Sequence, residues 1–150
     1  MKSTWVLVSD KSQARIFSVA TPSSELLEIE TLQHPEGRMH EQELDSDLPG
    51  KNKSTSSGAV HTYQNEISPK EQETIYFAKE ISLYLNNAFN SNKFESLLII
   101  SAPSFLGTLR QQLPEALNKS IIFSLDKNLT TFKPKDIRSH LPMPIPQLGS

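Results

Sequence analysis

Hydrophobic and polar positions divide the chain into short apolar runs, one long polar interval and a longer helical pattern. Thr4 to Ser9 (TWVLVS) is apolar on both faces, as a strand covered on both sides requires. Asp10 to Gln13 is a polar turn, with Asp10 placed to accept backbone N–H bonds two residues on. Ala14 to Ala20 (ARIFSVA) is a second strand, and the two predict a hairpin. After the break at 21–24, Leu26 to Gln33 alternates. Leu27, Ile29 and Thr31 are expected on the buried side, against Glu28 and Glu30.

Residues 34–68 have few aliphatics and exceed the roughly 12–15 residues usual for an ordinary connection, so they read as one long loop. Then Ser68, Pro69 and Glu71 spell a capping box with proline at the first helical position. Ile75, Ala78, Ile81, Leu85 and Ala88 recur at helical spacing, predicting about 22 residues and roughly 33 Å of helix, ending near Asn90–Asn92.

The LLII run within Phe94–Ala102 reads as a buried parallel strand. A helix follows Pro103, with Phe105, Leu106, Leu109 and Leu113 inward, and Ile121 to Leu125 is the last strand. A short final helix starts near Pro134, and PMPIPQLGS forms an extended tail. The order β-β-β-α-β-α-β-α predicts an α/β protein with a mixed five-stranded sheet of ribonuclease-H-like type. It is read as a single domain over 1–141, with a proline-rich tail over 142–150.

Composition changes little. The 150 residues are 36% hydrophobic and 21% charged, with a net charge of −2, so nothing global draws the chain to nucleic acid, DNA or RNA, or to anionic lipid, and any RNA contact would have to come from a local patch. Without cysteine there is no disulfide, thiolate zinc site or cysteine nucleophile. Trp5–Val8 is too short for a signal-peptide core, and no segment matches a membrane span; the expectation is cytoplasmic, with no membrane partner. A direct adhesin would need export, and no export signal is read at the amino terminus.

Candidate chemistry falls into three readings. A metal-dependent nuclease needs several carboxylates converging on paired metal ions. Asp10 with Glu73 or Glu80 fills two places, yet the fourth strand ends Ile100-Ser101-Ala102-Pro103 without a carboxylate. A loop metal or acid–base site would draw on His34, Glu36, His40, Glu41, Glu43, Asp45 and Asp47, which lack tight ligand spacing. A recognition loop would use Arg38, Lys51, Lys53 and His61 as positive groups, between hinges at Gly37, Pro49-Gly50 and Gly58. No cofactor or metal is expected.

Other residues have structural readings. Gly107 allows close helix–sheet packing, and Arg110 caps or pairs on its helix. Arg15 runs past apolar neighbours or pairs with a loop carboxylate. Arg38 with Asp47 would close the loop on itself.

Trp5-Val6-Leu7-Val8 with Asp10, then Ala14-Arg15-Ile16-Phe17, His34-Pro35-Glu36-Gly37-Arg38, Asp47-Leu48-Pro49-Gly50, Phe77-Ala78 and Ala102 to Arg110 resemble the bacterial host attachment protein family, required for attachment to host cells. That family is remotely similar to the middle domain of eukaryotic and archaeal peptide-chain release factors and of Pelota. The resemblance implies that the loop before the long helix reaches the ribosome. Release factors carry Gly-Gly-Gln there; this chain has Ser57-Gly58-Ala59, and Gln64 follows no paired glycines. The implied role is a non-catalytic, ribosome- or RNA-associated binding module. Its contacts would be His34, Arg38, His40, Asp47, Lys51, Lys53 and His61, supported by Asp10, Arg15 and Arg110. The alternative is a hydrolase of ester or phosphodiester bonds acting through the same loop, with His40, Glu41 or His61.

Overall fold

A computed structural model describes residues 3–34 and 68–146. Five strands, β1 (Thr4–Ser9), β2 (Gln13–Val19), β3 (Leu26–Gln33), β4 (Ser96–Ser101) and β5 (Ile121–Leu125), form one mixed sheet in the order β3-β2-β1-β4-β5. The first three form an antiparallel meander, and β1, β4 and β5 run parallel. This is the α/β, ribonuclease-H-like arrangement that the element order predicts.

The pleat sorts the core into two faces. Trp5, Leu7, Ala14, Ile16, Leu97 and Ile99 pack beneath α1 (Pro69–Asn90), α2 (Pro103–Gln112) and α3 (Glu115–Ser120). Val6, Val8, Phe17, Val19, Leu98 and Ile100 face Leu129, Leu141, Ile145 and Ile137 of α4 (Pro134–Arg138). All six residues of β1 and of β4 are buried, because both faces of the central strands are covered. Trp5 to Val8 is an unbroken apolar run for that reason.

The long helix has both ends written in sequence. Ser68 accepts from the Glu71 amide, and the Glu71 carboxylate accepts from the Ser68 amide. At the other end Asn92 takes φ 62°, while Asn92 N–H reaches the Phe89 carbonyl at 3.0 Å and Lys93 N–H reaches Ala88 at 2.9 Å. These are the paired bonds of a Schellman stop, with asparagine in place of the usual glycine. The buried Ser82 hydroxyl donates to the Gln112 carbonyl at 2.9 Å and docks α1 on the end of α2.

Three expectations are corrected. Leu27 and Ile29 are 65% and 38% exposed rather than buried, and Thr31 is exposed too. Phe17 pairs with Glu28 but Ile16 pairs with Glu30, so Ile29 is an extra residue in a β-bulge that resets the alternation. Leu26 then packs on one face and Leu32 on the other. Second, Glu115–Ser120 adds a helix that the sequence reading passed over. Third, a Cβ built on Gly107 meets nothing within 4 Å, so this glycine serves no close helix–sheet approach.

The segment after α4 is tied back to the first turn region. The buried Arg138 donates to the carbonyls of Ser24 (2.9 Å), Pro22 (2.8 Å) and Pro142 (3.0 Å), and Ile145 N–H reaches Pro22 O at 2.9 Å. No helix among the described residues is long and apolar enough to cross a membrane.

Candidate functional site

Strands β1 and β4 end side by side, with Ser9 opposite Ser101. Both serines are buried, and Ser9 Oγ donates to Ser101 Oγ at 3.3 Å. From this level the β1–β2 turn leaves on one side and α2 begins on the other. Carboxyl ends of neighbouring parallel strands are where open α/β sheets usually place ligands.

Asp10 behaves as a turn aspartate. Its Oδ1 accepts from the amides of Ser12 (2.8 Å) and Gln13 (2.9 Å). Its Oδ2 accepts from Asn128 Nδ2 (3.2 Å) and the Thr130 hydroxyl (3.0 Å). The carboxylate therefore pins the segment before α4 to the start of the hairpin. Glu73 is committed elsewhere and Glu80 is exposed, so the nuclease candidates do not converge. Among the described residues, no three His, Asp or Glu side chains gather as a metal cluster.

His34 closes β3 and is 7% exposed. Its N–H donates to the Ser12 carbonyl at 2.9 Å, Nε2 meets Glu73 Oε1 at 3.1 Å, and its ring stacks on Phe77 at 5.1 Å. Glu73 and Phe77 stand one turn apart on α1, so one helix face grips the whole imidazole. Glu73 lies five residues beyond Ser68, about 8 Å along the axis. The chain thus leaves the sheet at His34 and re-enters at Ser68 beside the same two turns of α1.

Next to these turns is a groove of about 430 Å³, lined by Lys11, Glu71, Thr74, Ile75, Ser104, Phe105 and Thr108. Ile75 is half-buried because it forms part of this wall rather than of the core. Phe77 and Phe105 lie 6.0 Å apart and join the groove to the His34 contact.

Arg15 meets Asp10 by way of Thr130, whereas Arg110 lies on α2. Arg15 forks onto Glu28, Nε to Oε2 at 3.0 Å and Nη2 to Oε1 at 2.9 Å, and its Nη1 donates to the carbonyls of Thr130 (3.0 Å) and Phe132 (2.6 Å). Among the described residues its carboxylate partner is Glu28 of β3. That hydrogen bonding from Arg15 holds the Glu28 carboxyl below its ordinary range, against a smaller opposing effect of burial. Arg110 is exposed on α2 and donates to the Ser124 hydroxyl of β5 at 2.8 Å, a surface pairing. Burial pushes the Tyr84 hydroxyl up, with Glu30 adding to the effect, and burial lowers Arg138.

The predicted contacts Arg38, His40, Asp47, Lys51, Lys53 and His61 lie outside the described residues, as do Gln64, Glu41 and the Arg38–Asp47 pair. Of the remaining site residues, Asp10 and His34 both bond Ser12, Arg15 joins Asp10 through Thr130, and Arg110 pairs separately with Ser124. Phe77, Lys11, Ser104, Phe105 and Thr108 are not singled out as site residues by the sequence, and Glu73, a candidate nuclease carboxylate there, is instead the partner of His34. The i, i+4 spacing of Glu73 and Phe77 after the capping box is the one signal that placed two of them on a common face.

These features define a mixed-sheet α/β protein whose His34 edge lies at the strand carboxyl ends. The chain belongs to the family described as "protein required for attachment to host cells", whose match spans residues 5–141. No curated protein matches it. Among solved structures, it is similar to an archaeal translation termination factor, with 12% identity and a TM-score of 0.40, over 81% of this chain and 29% of that one. It is also similar to the Ppx/GppA phosphatase of Aquifex aeolicus, with 9% identity and a TM-score of 0.36, over 83% of this chain and 35% of that one. The chain spans about a third of the length of each.

Proposed function

We propose that the protein is a non-catalytic binding module of the host attachment family that docks on the ribosome or another RNA–protein complex through residues 34–68. Arg38, Lys51 and Lys53 supply the phosphate contacts, with His40, Asp47 and His61 completing the surface, while the buried His34 anchors it rather than touching the partner. The observation that supports this reading is the double anchorage at α1. His34 is locked by Ser12, Glu73 and Phe77, and Ser68 by its capping box, so a polar segment is carried on two fixed points of one rigid edge. Rigid scaffolds that carry a polar loop are a common way to build recognition surfaces.

The test is a pull-down from cell lysate with the full chain as bait, with and without nuclease. Ribosomal components are expected to be recovered without nuclease and lost on RNA digestion. Their retention after digestion, or no recovery at low salt, contradicts the reading. The hydrolase alternative is met by a metal-supplemented screen on ester and phosphodiester substrates, with His40→Ala and His61→Ala as controls. Turnover abolished by either variant would replace the binding reading.

A further inference from the structure

The opposite face of the sheet carries a surface that the loop-based reading does not use. Between β5 and the last turn, residues 126–140 hold Lys127, Lys133, Lys135 and Arg138 against Asp126 and Asp136, a local positive surplus in a chain of net charge −2. Phe132 is 38% exposed in the middle of this stretch, with His140 set edge-on at 5.9 Å. Lys133, Pro134, Lys135 and Arg138 line a groove of about 460 Å³, with Leu26 and the carboxylate of Glu25 on its far wall.

The backbone explains why the ring faces outward. Arg15 Nη1 holds the carbonyls of Thr130 and Phe132, and Thr130 is pinned again through Asp10. Leu129 and Ile137 anchor in the core on either side of Phe132. Pro134 fixes the first turn of α4, with Ile137 N–H on the Lys133 carbonyl at 2.9 Å. An apolar ring and two flanking ammonium groups are thereby presented on rigid backbone, which lowers the ordering cost of binding.

We infer that this surface binds single-stranded RNA, one base stacking on Phe132 and the neighbouring phosphates meeting Lys133 and Lys135. Aromatic platforms beside basic side chains capture single strands without sequence readout. Arg138 contributes field rather than a contact, because its guanidinium is occupied by the Ser24, Pro22 and Pro142 carbonyls. The inference deepens the proposed function and rests on it for the class of partner.

The probe is fluorescein-labelled dodecauridylate, titrated into the full chain at 50 and 200 mM salt and read by anisotropy. Replacing Lys133 and Lys135 together by alanine is expected to reduce the slope of log K against log salt by about 1.4, near 0.7 per phosphate. Phe132→Leu keeps bulk but removes the stacking face; it should weaken binding roughly 5- to 150-fold and leave the slope unchanged. No binding by the unaltered chain, or wild-type affinity and slope in both variants, overturns the inference. So does a slope change with no effect of Phe132→Leu, or equal binding to phosphatidylserine vesicles, either of which marks a general anion patch. A chain that binds the oligonucleotide through Phe132 but recovers no ribosomal components keeps this surface and loses the loop-based reading. The reverse result keeps the loop-based reading alone.

Discussion

At the scale of single residues, two buried or half-buried pairs carry most of the testable chemistry. Glu28 is held below its ordinary range by Arg15, so its contribution to stability is present above the unfolded-state value near ~4.3 and is lost as pH falls through the lower, folded value. Glu28→Gln is expected to cost about 1 kcal/mol at neutral pH, a modest figure because the carboxylate is 31% exposed. In urea titrations the gap between variant and parent should shrink in strong acid; a gap constant with pH would place the effect outside the ion pair. His34→Ala removes a stack and a hydrogen bond to a carboxylate, and should lower stability by about 2 kcal/mol. Glu73→Gln retains an acceptor for His34 and should cost well under half of that. Equal losses would mean that the pair is not joined as described. Neither pair was legible in sequence, since Arg15 and Glu28 are matched only by strand pairing, and His34 and Glu73 only by the seating of α1 on the sheet.

Elements were read more successfully where a local code exists. The capping box at Ser68 and Glu71 gave the start of α1, and the Asn90–Asn92 cluster gave its end, because both stops are built from bonds within a few residues. Ser68→Ala should cost about 1 kcal/mol, and Asn92→Ala about 1–2 kcal/mol for placing a Cβ-bearing residue without a polar side chain at positive φ. Asn92→Gly should be neutral or stabilising; destabilisation by glycine would rule out backbone conformation as the cause. The failures are equally physical. Period-two alternation in β3 is broken at Ile29 by a bulge that depends on β2, a long-range partner invisible in LLEIETLQ. The α3 turn is only six residues long and opens with Pro114 and no side-chain cap, so it leaves no helical period to detect. Gly107 invited a packing role by residue type alone, which its open surroundings refute.

For the molecule as a whole, the apolar patterns of β1 and β4 were enough to place a doubly covered sheet, and the element order was enough to place the helices. What that frame carries was less accessible, because Asp10, His34, Arg15 and Arg110 reach their partners only through the fold, Asp10 and Arg15 by way of the distant Thr130. The central claim is that the edge bearing His34 and Ser68 presents phosphate-binding residues to an RNA–protein partner. Co-sedimentation with purified ribosomes at several salt concentrations tests this most directly, comparing the parent chain with one carrying Arg38→Ala, Lys51→Ala and Lys53→Ala. The account predicts measurable association by the parent and a salt slope lower by about 2 in the variant, near 0.7 for each lost phosphate contact. No association at low salt, or identical affinity and slope in the two chains, would contradict it.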